Sequence, residues 1–192
     1  MHSREQLTRR GLRLEYTTLV WNVVGVGVLT FAALRAHSIA LAGFGFDSLV
    51  EIGASTVVVW ELKSIDDERR HRATRLIGGA FVVLVAYLVV LTSVAFLRDV
   101  HPLHAPLGIA WTAMTALAMF TLAYAKSRTG EELDNPVLRT EGRVTFIDGL
   151  LSTAVLVGLG ANALLGWWWA DPMAGLVIIY YALREAREAL TR

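Results

Sequence analysis

Six apolar runs divide this chain, at 16–34, 38–60, 76–97, 106–125, 144–165 and 167–183. Most are about twenty residues long. At about 1.5 Å per residue a helix of that length crosses the hydrocarbon core of a bilayer. A soluble domain has no use for six such segments in succession. Composition agrees: 55% of the 192 residues are hydrophobic, 18% are charged, and the mean hydropathy is +0.50. Ordinary soluble domains are less apolar and more charged. The chain is therefore read as all-α, an integral membrane bundle of six transmembrane helices. Residues 1–15 form a cytoplasmic N-terminal arm, 16–183 the transmembrane domain, and 184–192 a short cytoplasmic tail. A basic start before an apolar run also has the form of a signal peptide. This run exceeds an ordinary signal core and no small-residue cleavage site follows it, so it is read as the first span.

The charges sort by side. Of the 18 lysines and arginines, 16 fall in the N-terminal arm, the 61–75 and 126–143 connectors and the tail. Arg35 and Arg98 stand alone in the connectors that alternate with these. The positive-inside rule then puts both termini and both long connectors in the cytoplasm, and the Trp167–Trp169 cluster at the outer interface. The net charge of +1 carries no signal for nucleic acid, and none is expected as a partner. The absence of cysteine excludes disulfides, thiolate metal sites and cysteine nucleophiles.

Against this apolar background three acids stand out. Asp47 and Glu51 lie four residues apart in the second run, on one face of a helix. A carboxylate in mid-membrane costs a few kcal/mol or more. Two on one face are poorly explained as a solvated stripe or as polar glue between helices. Asp148 enters the fifth run about five residues past Arg143, roughly 7–8 Å along its helix. The second helix runs the opposite way, and Glu51 comes to a similar depth. The three can converge as an oxygen-donor site for a hard or borderline divalent cation. Three carboxylates around one dication leave excess negative charge, so at least one holds a proton when the metal leaves. Exchange of protons for metal follows.

Other residues read as structure. Runs three and four carry no chemistry and serve as scaffold or lipid-facing wall. Gly25 and Gly27 suit close helix packing and Asn22 an interhelical hydrogen bond. Asp171, before Pro172, suits an N-cap or packing role at the start of the sixth helix. His101 and His104 read as a solvated pair, and Asp66, Asp67 and Glu68 beside Arg69, Arg70 and His71 as a solvated mixed-charge connector.

Three stretches carry a resemblance. DSLVEIGAS, from Asp47 to Ser55, resembles the second-helix motif of the cation diffusion facilitator family of metal/proton antiporters, D-S-L-V-D-x-x-A-S, with Glu51 for the second Asp. TEGRVTFIDGLLS, from Thr140 to Ser152, resembles its fifth-helix motif, A-D-A-x-H-x-x-x-D-x-x-x-S, matched at Glu141, Asp148 and Ser152. WADPMAG, from Trp169 to Gly175, resembles the D-P-x-A-G opening of its sixth helix.

The resemblance implies a multi-pass protein of the cell membrane, a secondary active transporter rather than an enzyme. It would have no catalytic residues and no resident cofactor. The substrate would be a divalent cation such as Zn²⁺, Fe²⁺ or Mn²⁺, expelled against protons by alternating access. The implied partners are the metal ion, protons, the lipid bilayer and a second copy in a homodimer. The metal ligands are Asp47, Glu51 and Asp148, with Ser152 or water completing the shell.

Two departures stand beside it. Val144 occupies the position of the family's metal-binding His, and an oxygen-only set suits Mn²⁺ or Fe²⁺ at least as well as Zn²⁺. The sequence also stops where the family continues into a cytoplasmic ferredoxin-like domain, which implies a short form. The alternative reading is a metal-binding membrane protein without transport, a subunit or modulator of another protein. A membrane-embedded hydrolase would need a Ser/His pair or intramembrane His ligands, which the spans do not offer.

The charge sorting predicts that reporter tags at residue 1 and residue 192 both read out from the cytoplasm. A tag at either position that is labelled by an impermeant reagent on intact cells overturns the topology.

Overall fold

The computed structural model describes residues 4–63, 79, 82–90, 92–94, 97 and 103–191, and among these every regular element is a helix. The helices are α1 (Arg4–Ala36), α2 (Ile39–Lys63), α3 (Val82–Val94), α4 (Pro106–Leu133), α5 (Pro136–Leu165) and α6 (Ala170–Thr191). Four of them, α1, α2, α4 and α5, are long and apolar enough to cross a membrane, and α3 is a shorter apolar helix. Most of the 61–75 connector, including Asp66 to His71, and His101 lie outside the described residues. His104 is exposed.

The helices outrun the apolar segments. Helix α1 begins at Arg4, inside the basic arm, and α4 and α5 take up most of the 126–143 stretch. That stretch reads as a connector because charges crowd it, but only Asp134 and Asn135 lie between the two helices. Asp134 closes α4 in the left-handed region, at φ 51°. The Asn135 side chain then caps α5, accepting from Val137 N (2.9 Å) and Leu138 N (3.0 Å), with Pro136 in the first turn. The charged ends of α4 and α5 are thus held in helical register and can turn side chains inward.

At the opposite end His37, at φ 53°, links α1 to α2. The first N–H groups of α2 are met by a residue far away in sequence. Asp171 accepts from Ile39 N (2.9 Å), Ala40 N (3.3 Å) and the Ser38 hydroxyl. Ser38 Oγ accepts in turn from Leu41 N (3.1 Å). Asp171 sits in the first turn of α6, as its sequence context suggests, yet the helix it caps is α2. Its negative charge lies where the dipole of α2 favours it.

Helices α1, α2, α5 and α4 pack in that cyclic order, and α6 lies against α2 and α5. Two interiors result. An apolar core, with Leu29, Phe44, Leu84, Leu88, Val155 and Ile178 fully buried, draws on α2, α3, α5, α6 and the last turns of α1. The other interior, inside the four-helix ring, is polar. The outer surface carries apolar side chains such as Val20, Leu117 and Leu164. This is the distribution a bilayer requires, where fit rather than exclusion from water holds helices together.

Close fit is clearest between α4 and α5. A Cβ at Gly142 would meet Ser127 N at 2.8 Å and the Ala123 carbonyl at 3.1 Å, and would also collide with Ser127 Oγ. At Gly25 it would meet the Trp111 indole at 3.4 Å, whereas at Gly27 it would meet nothing within 4 Å among the described residues. Gly142→Val should therefore push α4 and α5 apart and cost about 1–3 kcal/mol. Gly27→Ala should stay within about 0.5 kcal/mol of the parent. Thermal melts in detergent measure both, and a Gly142→Val protein that melts like the parent refutes this contact.

Candidate metal site in the polar interior

Each helix of the ring turns one polar stripe inward. On α1 the buried positions from Leu7 to Leu29 are Leu7, Gly11, Glu15, Thr18, Asn22, Gly25 and Leu29, spaced by three and four. On α4 they include Thr112, Thr115, Met119, Lys126 and Thr129. Helix α2 contributes Asp47, Glu51 and Ser55, and α5 contributes Glu141, Thr145, Asp148 and Ser152, all buried.

The three acids singled out in the sequence come to one region of this interior. Asp47, Glu51 and Asp148 are 6%, 4% and 3% exposed. Asp148 lies against Asp47, and Glu51 is within electrostatic range of both. Among the described residues nothing but the Asp47 carboxyl is placed to donate to either Asp148 oxygen. The three are not a finished ligand set as their side chains stand. Among the described residues no three Asp, Glu or His groups are arranged to hold one ion.

One oxygen of Glu51 is engaged elsewhere, Oε1 accepting from the Thr145 hydroxyl at 3.1 Å. Thr145 is fully buried and turned to α2, whereas its neighbour Val144 is half-buried. Ser152, a turn beyond Asp148, donates to the Thr112 carbonyl (2.8 Å) and so fastens α5 to α4. The Asn22 amide donates to the Thr18 carbonyl of its own helix (3.1 Å). An α1–α4 hydrogen bond comes instead from Trp21 Nε1 to Thr115 Oγ1 (3.1 Å).

One layer nearer the chain ends lies a second cluster. Lys126 Nζ is 3.0 Å from Glu15 Oε2 and 3.3 Å from Glu141 Oε1, and donates to Thr145 Oγ1 at 3.1 Å. Ser55 Oγ donates to Glu141 Oε1 at 3.3 Å. Because Thr145 accepts from the ammonium, its own proton is free to point at Glu51. The two clusters are thus one hydrogen-bonded network.

Glu15, Lys126 and Thr145 escape a reading of the sequence. Glu15 falls in the basic arm and Lys126 in the charged connector, where charges are ordinary. A signal exists nonetheless, since each continues a three-and-four spacing of small and polar residues into its helix. Among the described residues the ring holds five buried carboxyl groups and one buried ammonium, which if all ionised would leave excess negative charge in a low dielectric. Protons or metal ions can neutralise it, and an interior of this kind suits the exchange of one for the other.

Residues 16–191 match the model of the cation efflux transmembrane domain. The chain is also similar to an uncharacterized transporter of the cyanobacterium Synechocystis, with 25% identity over 157 residues, 76% of this chain and 51% of the relative. It spans about half the length of that curated relative. The family match extends over nearly the whole helical bundle and takes in the acids of α2 and α5. This chain therefore belongs to the cation efflux, or cation diffusion facilitator, family of membrane proteins.

Proposed function

We propose that the protein carries a divalent transition-metal cation across the membrane in exchange for protons, by alternating access. Asp47, Glu51 and Asp148 hold the ion in this reading, with Ser152 or water filling the shell. The observation that carries it is the pairing of Asp148 with Asp47 inside the ring, both buried, with no donor to either Asp148 oxygen among the described residues beyond the Asp47 carboxyl itself. Packing alone gives no reason to set two carboxylates together in such a place. A dication, or protons in its absence, gives one.

An all-oxygen donor set suits Mn²⁺, Fe²⁺ and Zn²⁺ and commits to none of them. To join the set, Glu51 must turn one oxygen from Thr145 toward the other two acids. Thr145 is then released to Lys126 alone. Metal binding and the hydrogen-bond network are thereby in competition for one side chain.

Proton flux in proteoliposomes, driven by a panel of Zn²⁺, Fe²⁺, Mn²⁺, Co²⁺ and Cd²⁺, tests the reading. Asp47→Asn and Asp148→Asn should each abolish metal-dependent flux in a protein that still folds, because an amide keeps the shape and loses the charge. Glu51→Asp should be milder. Tight metal binding by the parent without any flux would favour a non-transporting metal-binding protein, and normal transport by Asp47→Asn would remove these acids from the pathway.

Val144→His probes selectivity. An imidazole four residues before Asp148 lies on the same face of α5 and should shift preference from Mn²⁺ toward Zn²⁺. An unchanged ratio in a folded variant would place residue 144 away from the ion.

A further inference from the structure

The Lys126 ammonium is placed as a bound cation would be. Two carboxylates reach it from different helices, Glu15 of α1 at 3.0 Å and Glu141 of α5 at 3.3 Å. The Thr145 hydroxyl oxygen accepts from it at 3.1 Å. Three oxygens thus surround the nitrogen, Glu141 Oε1 and Thr145 Oγ1 in hydrogen-bond geometry and Glu15 Oε2 in ion-pair contact. The side chains of Lys126 and Glu15 are 0% exposed and that of Glu141 is 5% exposed. Among the described residues neither Glu15 oxygen has a donor in hydrogen-bond geometry, so the cluster has acceptor capacity that the lysine does not use. The oxygens come from α1 and α5, but the charge arrives on a flexible four-carbon stem from α4. Cation and ligands are therefore separable parts.

We propose that Glu15 and Glu141 form a second cation site, one layer nearer the chain ends than the acid cluster, and that the Lys126 ammonium is a tethered cation filling it in this conformation. The site fits a primary ammonium: three donors, one positive charge and a narrow stem. With the lysine in place, the layer between the acid cluster and that end of the bundle is closed by a charge that repels an approaching metal ion. With the lysine withdrawn, the same two carboxylates attract one. This assignment does not rest on the transport reading, since none of its residues belongs to the proposed ligand set.

The experiment removes the tether and supplies the charge from solution. Lys126→Ala is melted in detergent across a range of methylammonium chloride, with tetramethylammonium chloride as a control that cannot donate hydrogen bonds. The variant should melt below the parent. It should regain about 5–10 °C at a methylammonium concentration near 100 times its Kd. The parent, already filled, should not respond. The gain should persist when Asp47→Asn is added, which separates this site from the acid cluster. Adding Glu15→Gln instead should raise the starting melting temperature and blunt the response.

Equal effects of the two salts overturn the proposal. So does a gain shared by the parent, one lost with Asp47→Asn, or one untouched by Glu15→Gln. A Lys126→Ala protein that fails to fold in either salt overturns it as well.

Discussion

A charge that cannot reach water must be matched by charges of the opposite sign, and in this bundle that requirement joins four helices at one point. Lys126 of α4 is held by Glu15 of α1 and Glu141 of α5, and Ser55 of α2 donates to Glu141. Removing one partner from such a buried group costs about 3–5 kcal/mol, because the other charge is left uncompensated. The layer therefore specifies which helices neighbour one another, where apolar contact alone would allow several arrangements. It also sets the state of the acids beyond it. The ammonium reaches Glu51 through Thr145, so events at one cluster are felt at the other.

The polar ring and the apolar core divide the work of the fold. The core between α2, α3, α5, α6 and the end of α1 has no charge to satisfy and is held by fit. The ring holds polar groups that would be intolerable facing lipid. Helices α2 and α5 belong to both, with one face toward each interior, and α1 passes from the ring at Glu15 to the core at Leu29. This explains why their sequences carry acids and hydroxyls at spacings of three and four while the rest of each run stays apolar.

Much of this was legible from the residues. Asp47, Glu51 and Asp148 stand out because a carboxylate inside an apolar run has no bland explanation. Glu15 and Lys126 do not stand out, because they sit where runs end and charges are common. Their burial depends on α1 and α4 continuing as helices past the apolar segment. The cap signals for that continuation, Asp134, Asn135 and Pro136 in succession, are present but are masked by the charges around them. The partner of Asp171 was beyond reach for another reason. It lies more than 130 residues away in the chain, and nothing local to Asp171 distinguishes capping its own helix from capping another.

Two ties, one a short turn and one a long-range cap, divide the bundle mechanically. A two-residue turn and the close contact at Gly142 make α4 and α5 one stiff hairpin. Through its hold on the start of α2, Asp171 makes α2 and α6 a second rod. Asp47 and Glu51 ride on one rod and Asp148 on the other. The spacing of the first two is set by a single helical turn and is indifferent to any sliding of the rods. The gap between Asp148 and Asp47 is the clearance of the joint itself. An ion held across that gap would act as a rivet, and its grip would loosen or tighten with the angle at which the two rods cross.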